Sequence, residues 1–314
     1  MEERALGHFI IVYQKFAATE NKSNRTIETV TAAVRDFNRF LGVAVNPRDV
    51  KPEDLRNYIE NLQDRPKWSG HPHIKTRGEK LSPHSVASYA RSIRSFWAWL
   101  KREGFIEHNP FKRVKVPKAP RKIVNTFSVE QVNSLLKVIP VKHHSGYRDY
   151  AIVITLYGTG LRSSELTGLK LEDVDLGSGQ IRVMGKGGKQ RSVYMSATVF
   201  KVLFKYRHNW RPKVKSEYLF IHENGQPINR YYLAHRLHAY GKKAKIKGIR
   251  CSPHTFRHSF AVGYLRSGGD VFTLQRILGH STLEMTRHYA EIADSDVEER
   301  QKAYSPAEKL QTKP

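Results

Sequence analysis

Two histidines, two arginines, a lysine and a tyrosine occur in this chain in an order that suits attack on a phosphate ester. Near the C-terminus stand His254-Thr255-Phe256-Arg257-His258, then Leu278-Gly279-His280, then Tyr289. A second arginine lies upstream in Gly158-Thr159-Gly160-Leu161-Arg162-Ser163-Ser164-Glu165-Leu166, and Lys186 lies between them in Gly185-Lys186-Gly187-Gly188-Lys189-Gln190-Arg191. Phosphoryl transfer needs charge neutralised on the phosphate oxygens, a nucleophile, and a proton donor for the leaving oxygen. Arginine suits the first task because its planar fork meets two oxygens at once, which makes Arg162 and Arg257 the candidates. A lysine flanked by glycines at a turn can swing into a groove and protonate a leaving 5′ oxygen; Lys186 fits, with Lys189 as a substitute.

Each signal has a plainer reading. A helix-start arginine is usually solvated, and a His-x-x-Arg-His run alone is weak. His258 stands four residues after His254, so spacing alone does not say which histidine faces a phosphate. Most of the 15 tyrosines must be core or surface residues, and tyrosine is a poor nucleophile at its ordinary pKa of about 10. Arginines near Tyr289 would favour the phenolate and lower that barrier. Gly185-Lys186-Gly187-Gly188 lacks the spacing of a P-loop. His71-Pro72-His73 and His143-His144 lack a cysteine or carboxylate at metal-ligand spacing.

The elements that must position these residues are mostly helical. Leu6, Phe9, Ile10, Tyr13 and Phe16 share one helical face. So do Ile27, Val30, Val34, Phe37 and Leu41, with Ser23 as N-cap and Gly42 as stop. A third helix starts at Pro52 with Leu55, Tyr58, Ile59 and Leu62, and an exposed loop follows over 64–80. A fourth starts at Ser82-Pro83 and runs through Val86, Tyr89, Ile93, Trp97 and Leu100 to Gly104. The stretch 112–122 holds six basic residues (Lys112, Arg113, Lys115, Lys118, Arg121, Lys122), two prolines and no acid, and reads as an extended linker crossing a phosphate backbone. Ser128 to Gln131 opens a second domain with a capping box. Three short strands follow, over 169–176, 180–185 and 189–195, and helical patterns then run from Ser196 to about Ile292. Arg162 is expected at a helix start, His254 and Arg257 on one face of a helix from Pro253, and Tyr289 in a helix capped by Ser281 and Glu284. The domain reading is 1–111, helical; 112–122, basic linker; 123–293, a mixed α/β domain; and 294–314, a polar tail.

Composition narrows the partner. Lysine and arginine total 54 against 29 acids, a formal net charge of +25, which calls for a polyanion. A membrane would need a long apolar span or a basic amphipathic anchor, and the sequence shows neither; nor does Met1-Glu2-Glu3-Arg4 open a signal peptide. A nucleic acid is the expected partner, and strand-transfer chemistry makes it double-stranded DNA. Cys251 is the one cysteine, so no intrachain disulfide is possible and a reducing cytoplasm fits.

In order, these motifs resemble the tyrosine recombinase (phage integrase) family, over about residues 121–293; the N-terminal region is similar only in helix pattern and charge. The resemblance implies a mainly α fold with a small antiparallel β-sheet, a helical core-binding domain and a mixed α/β catalytic domain forming a two-domain C-shaped clamp on DNA. It implies that Arg162 and Arg257 clamp the scissile phosphate, that His254 and His280 add hydrogen bonds and proton handling, that Lys186 is the general acid, and that Tyr289 forms a 3′-phosphotyrosine. It further implies no cofactor, neither ATP nor metal, and a homotetramer on two sites that trades a C-terminal segment, with a possible accessory bending or excision factor. Lys112, Arg113, Lys115, Lys118, Arg121, Lys122, Lys189 and Arg191 are the further DNA-contacting candidates.

The expected activity is site-specific recombination by an integrase or resolvase of a mobile element. A type IB topoisomerase would share the chemistry but would relax any supercoiled plasmid without paired sites. An inactive sequence-specific DNA-binding protein would bind without forming a covalent adduct.

Overall fold

The computed structural model describes residues 5–42, 45–67, 69, 78–120, 125–185, 188, 190–293, 301 and 305. The chain divides into two units, Met1–Lys122 and Ile123–Pro314, each with apolar core of its own.

Among its described residues the first unit is built on four helices, α1 (Leu6–Thr19), α2 (Asn24–Leu41), α3 (Pro52–Asp64) and α4 (Pro83–Arg102). Ser23 and Ser82 cap α2 and α4 by accepting the backbone N–H of Thr26 and Ser85, which removes one orphan donor from each helix start. Gly42 ends α2 at φ +103°, a conformation other residues rarely adopt. The inward faces carry the expected residues of α2, α3 and α4, and burying each large apolar side chain contributes roughly 1.5–3 kcal/mol. α1 differs slightly: Ala17, not Phe16, completes its buried face, and Phe16 lies exposed at the rim, edge-on to Trp99. Lys67 N–H to Glu79 O and Leu81 N–H to Arg65 O tie together the two ends of the 64–80 loop; His71 and His73 lie outside the described residues. The basic stretch does not run free from its start. Phe111 packs against Trp97 with tilted rings, centroids 4.8 Å apart, and Val114 is buried in the same core. The alternation of basic and apolar residues lets the cations face water while the apolar side chains pack.

The second unit combines a three-stranded antiparallel sheet with helices α5 (Val129–Lys137), α6 (His144–Thr159), α7 (Ser163–Thr167), α8 (Ala197–Lys205), α9 (Arg230–Lys243), α10 (Pro253–Arg266), α11 (Val271–Leu278) and α12 (Glu284–Ala293). The mainly α character with a small sheet is as expected. The strands are β1 (Val174–Asp175), β2 (Gln180–Met184) and β3 (Gln190–Tyr194), with Ile181 opposite Val193 and Val183 opposite Arg191. β1 is much shorter than the expected 169–176. The Asp173 side chain accepts the Lys170 N–H at 2.9 Å and turns 171–173 into a 3₁₀ segment, while Lys170 bridges to Tyr218. The helical run after Ser196 is also interrupted, because Ile221 pairs with Pro227 in a tight antiparallel turn. Ser128 and Gln131 form their capping box, His143 precedes α6, and His144 Nδ1 lies 2.7 Å from the Trp210 carbonyl.

Among the described residues, no helix is long and apolar enough to cross a membrane. The tail 294–314 lies outside the described residues except for Gln301 and Ser305.

Candidate active site

Arg162 is placed by two abrupt chain reversals. α6 ends at Gly160, φ +63°, and α7 begins directly after Arg162. A side chain at Gly160 would put its Cβ 2.4 Å from the Phe260 ring, so only glycine fits this corner. Arg162 then donates its backbone N–H and Nη1 to Glu165 (both 2.8 Å) and Nη2 to the Gly279 carbonyl (3.1 Å), and its side chain remains about a third exposed. Arg191, from β3, approaches Glu165 from the other side with two bonds of 2.8 Å and donates Nε to the Ile277 carbonyl. Burial alone would raise the Glu165 carboxyl. Hydrogen bonds from Arg191 and Arg162 outweigh it and hold the group at about 2. Arg191, expected on phosphate, is thus tied to a buried carboxylate and to the end of α11.

Arg257 sits one turn into α10, whose N-cap Ser252 accepts the Thr255 N–H and whose first residue is Pro253. The guanidinium is buried. It donates Nη1 to the Gly160 carbonyl (2.9 Å) and Nη2 to the Leu278 carbonyl (2.8 Å) and to His280 Nε2 (2.9 Å). Burial, reinforced by the like charge of Arg162, lowers its pKa to about 10, so it still carries its charge at neutral pH. Gly279, φ +63°, ends α11 and turns the chain so that His280 reaches forward to Thr286 of α12, Nδ1 to Oγ1 2.9 Å. Arginine can only donate, so Nε2 accepts and the His280 proton resides on Nδ1. Burial and the charges of Arg257, Arg162 and Arg191 agree with this neutral form, pulling the ring down to about 4. His254 stands exposed at the start of α10.

Tyr289 is buried on α12, in a small core with Leu265, Leu274 and Leu278. Its hydroxyl lies 2.7 Å from Nδ1 of His258, and the His280 ring stacks beside it at 6.1 Å. Arg257 and Arg162 do pull the phenol down, as expected, but they do not set its net shift. Burial raises it, and the opposing pull of Arg257 and Arg162 does not compensate. Ser281 does not cap α12 either. The helix begins at Glu284, with Leu283 O accepting from Thr286 and Arg287, while the Ser281 hydroxyl points at Met285 Sδ.

The structure therefore brings Arg162, Arg257, His280 and Tyr289 into one connected network, with His254 at the start of the same helix as Arg257. Lys186, Lys189, Arg121 and Lys122 lie outside the described residues. Lys112, Arg113, Lys115 and Lys118 are exposed on the first unit. Sequence reasoning left the roles of His254 and His258 open, and gave Glu165 and Thr286 none; the structure sets His258 against Tyr289. A carboxylate three residues after an arginine at a helix start is the one signal that could have found Glu165. The arrangement presents two fixed cations, neutral imidazoles and a buried phenol, a set able to hold a phosphate diester and supply an oxygen nucleophile.

Residues 125–296 match the model of the phage integrase family. The chain is 32% identical to the tyrosine recombinase XerC of Pelobacter propionicus over 282 residues, covering 87% of this chain and 88% of that one. It is 30% identical to the tyrosine recombinase XerD of Listeria innocua, covering 95% and 96% of the two chains. Its fold is similar to that of the XerH site-specific recombinase bound to a palindromic difH substrate in a post-cleavage complex, with TM-score 0.70, 21% identity, and 92% and 81% of the chains covered.

Proposed function

The chain belongs to the phage integrase family of tyrosine recombinases, and from that premise we propose that it cuts and rejoins duplex DNA at paired sites through a 3′-phosphotyrosine link. The observation that carries this reading is the single network joining the Arg162 and Arg257 guanidinium groups, through Gly160, Gly279 and His280, to the helix that bears Tyr289.

Arg162 and Arg257 hold the non-bridging oxygens of the scissile phosphate, where both charges count most as the pentavalent transition state forms. His280 keeps Arg257 in place, and His254, exposed beside it, adds a hydrogen bond to the phosphate. Tyr289 attacks phosphorus, and Lys186 protonates the departing 5′ oxygen. The link keeps the phosphodiester's energy, so a 5′ hydroxyl of a partner strand can reverse the step and complete exchange. Four protomers act on two sites, trading the polar segment 294–314, and the basic face of residues 112–118 contacts the backbone.

The test begins with nicked duplexes selected from a random pool for binding to the purified protein. Wild type is expected to accumulate a covalent protein–DNA adduct, and Tyr289→Phe is expected to form none while binding the same duplexes. Adduct formation by Tyr289→Phe refutes the assignment of the nucleophile.

A further inference from the structure

His258 is the side chain in hydrogen-bond contact with the Tyr289 hydroxyl, yet phosphate recognition leaves it without a task. It follows Arg257 directly on α10, so the two point in different directions. Arg257 faces the carbonyls of Gly160 and Leu278, and His258 faces α12. Its ring lies 5.5 Å from that of Tyr289, centroid to centroid. The phenol is only 5% exposed, so a proton released during attack has no direct route to bulk water.

Other bases near the phenol are committed elsewhere. His280 stacks beside it, but its Nε2 accepts from Arg257 and its Nδ1 is held by Thr286. His288 turns its Nδ1 toward Glu291, 3.9 Å away. His258 has its Nδ1 on the hydroxyl itself, at 2.7 Å. The groups facing it are His254 and Arg257 on its own helix and His288 and Tyr289 on α12, while His280 lies against the Tyr289 ring. Burial, and then the neighbouring His254, Arg257 and His288, lower its pKa to about 4, which leaves the ring neutral and able to accept.

We propose that in the recombination reaction put forward above His258 accepts the phenolic proton as Tyr289 attacks. The Tyr289 Oη–P bond forms as the P–O5′ bond breaks. The phenolic proton passes to Nδ1 of His258, and the leaving 5′ oxygen takes its own proton from Lys186. In the joining step the proton returns from His258 to the phenolate leaving group, as reversibility requires.

Single-turnover cleavage of the selected nicked duplexes tests this. His258→Asn places an amide oxygen where Nδ1 stands, keeping an acceptor that cannot take up the proton. We expect cleavage to slow by about 10²–10⁴-fold at neutral pH with duplex binding retained, and the rate to climb with pH as solvent base takes over. The second arm replaces the bridging 5′ oxygen with sulfur, a leaving group that needs no proton. This substrate is expected to rescue Lys186→Ala and not His258→Asn. A His258→Asn rate within a few-fold of wild type, an unchanged pH profile, or rescue by sulfur overturns the proton transfer. A wild-type protein that forms no adduct at any pH overturns the recombinase mechanism and this step together.

Discussion

Glu165 is a buried carboxylate that binds two cations: Arg191 closes on it in a two-bond fork, and the partly exposed Arg162 donates through side chain and backbone. Such a carboxylate is costly to remove alone, because its partners are left without their counter-charge. Its pKa, depressed from the usual 4.5 to about 2, means that the unfolded chain takes up this proton before the folded one does. The stability it contributes is therefore complete above about pH 4.5 and is lost as pH falls toward 2. Glu165→Gln should destabilise the protein by about 3 kcal/mol at pH 7, and the gap to wild type should close as pH falls through that window. Urea unfolding of both proteins at several pH values checks this, and a gap that does not depend on pH would show that the charge is not responsible. At this scale the sequence revealed the arginine, histidine and tyrosine side chains that the fold gathers, because their motifs point to one chemistry when read together. It did not reveal which histidine meets the Tyr289 hydroxyl. His254 and His258 stand one helical turn apart, and only the packing of α12 against α10 distinguishes them.

The elements were legible where a local signal ended or began them. Ser23, Ser82, Ser128 and Ser252 cap the helices that follow them, and the glycines at 42, 160 and 279 end theirs with positive φ. The errors arose where local side-chain chemistry competed with pattern. Leu169, Leu171 and Val174 read as one apolar strand, but Asp173 captures the Lys170 N–H and curls the chain before β1. Ser281 has a capping residue's chemistry, but the backbone of α12 starts three residues later. Gly160 shows how an element boundary serves the site. It ends α6, leaves room for Phe260 and Leu278, and offers its carbonyl to Arg257. Gly160→Ala should destabilise the second unit by about 1–3 kcal/mol, since its φ of +63° and the tight approach both oppose a side chain. A lower urea midpoint with weaker adduct trapping is the expected result. Normal stability with weaker trapping would place the effect on Arg257 alone.

Across the whole molecule the dominant property is charge. A formal net charge of +25 on a folded chain is self-repulsive unless a polyanion compensates it, and DNA binding releases condensed counterions in proportion to the phosphates neutralised. Lys112, Arg113, Lys115 and Lys118 lie exposed on a segment whose Phe111 and Val114 are anchored in the core of the first unit. That anchoring holds the cations in place, so fewer degrees of freedom are lost when they meet a backbone than a free linker would lose. Replacing all four by glutamine should weaken binding to selected and unrelated duplexes by the same factor, since cations resting on phosphates carry no sequence information. The slope of log affinity against log salt should become shallower by about 0.9 for every phosphate that one of these side chains neutralises, or roughly 3.6 if all four do so. Titrations across a salt series measure both quantities. An unchanged slope would remove this segment from the DNA interface, and weakening confined to the selected sequence would assign it to base reading instead.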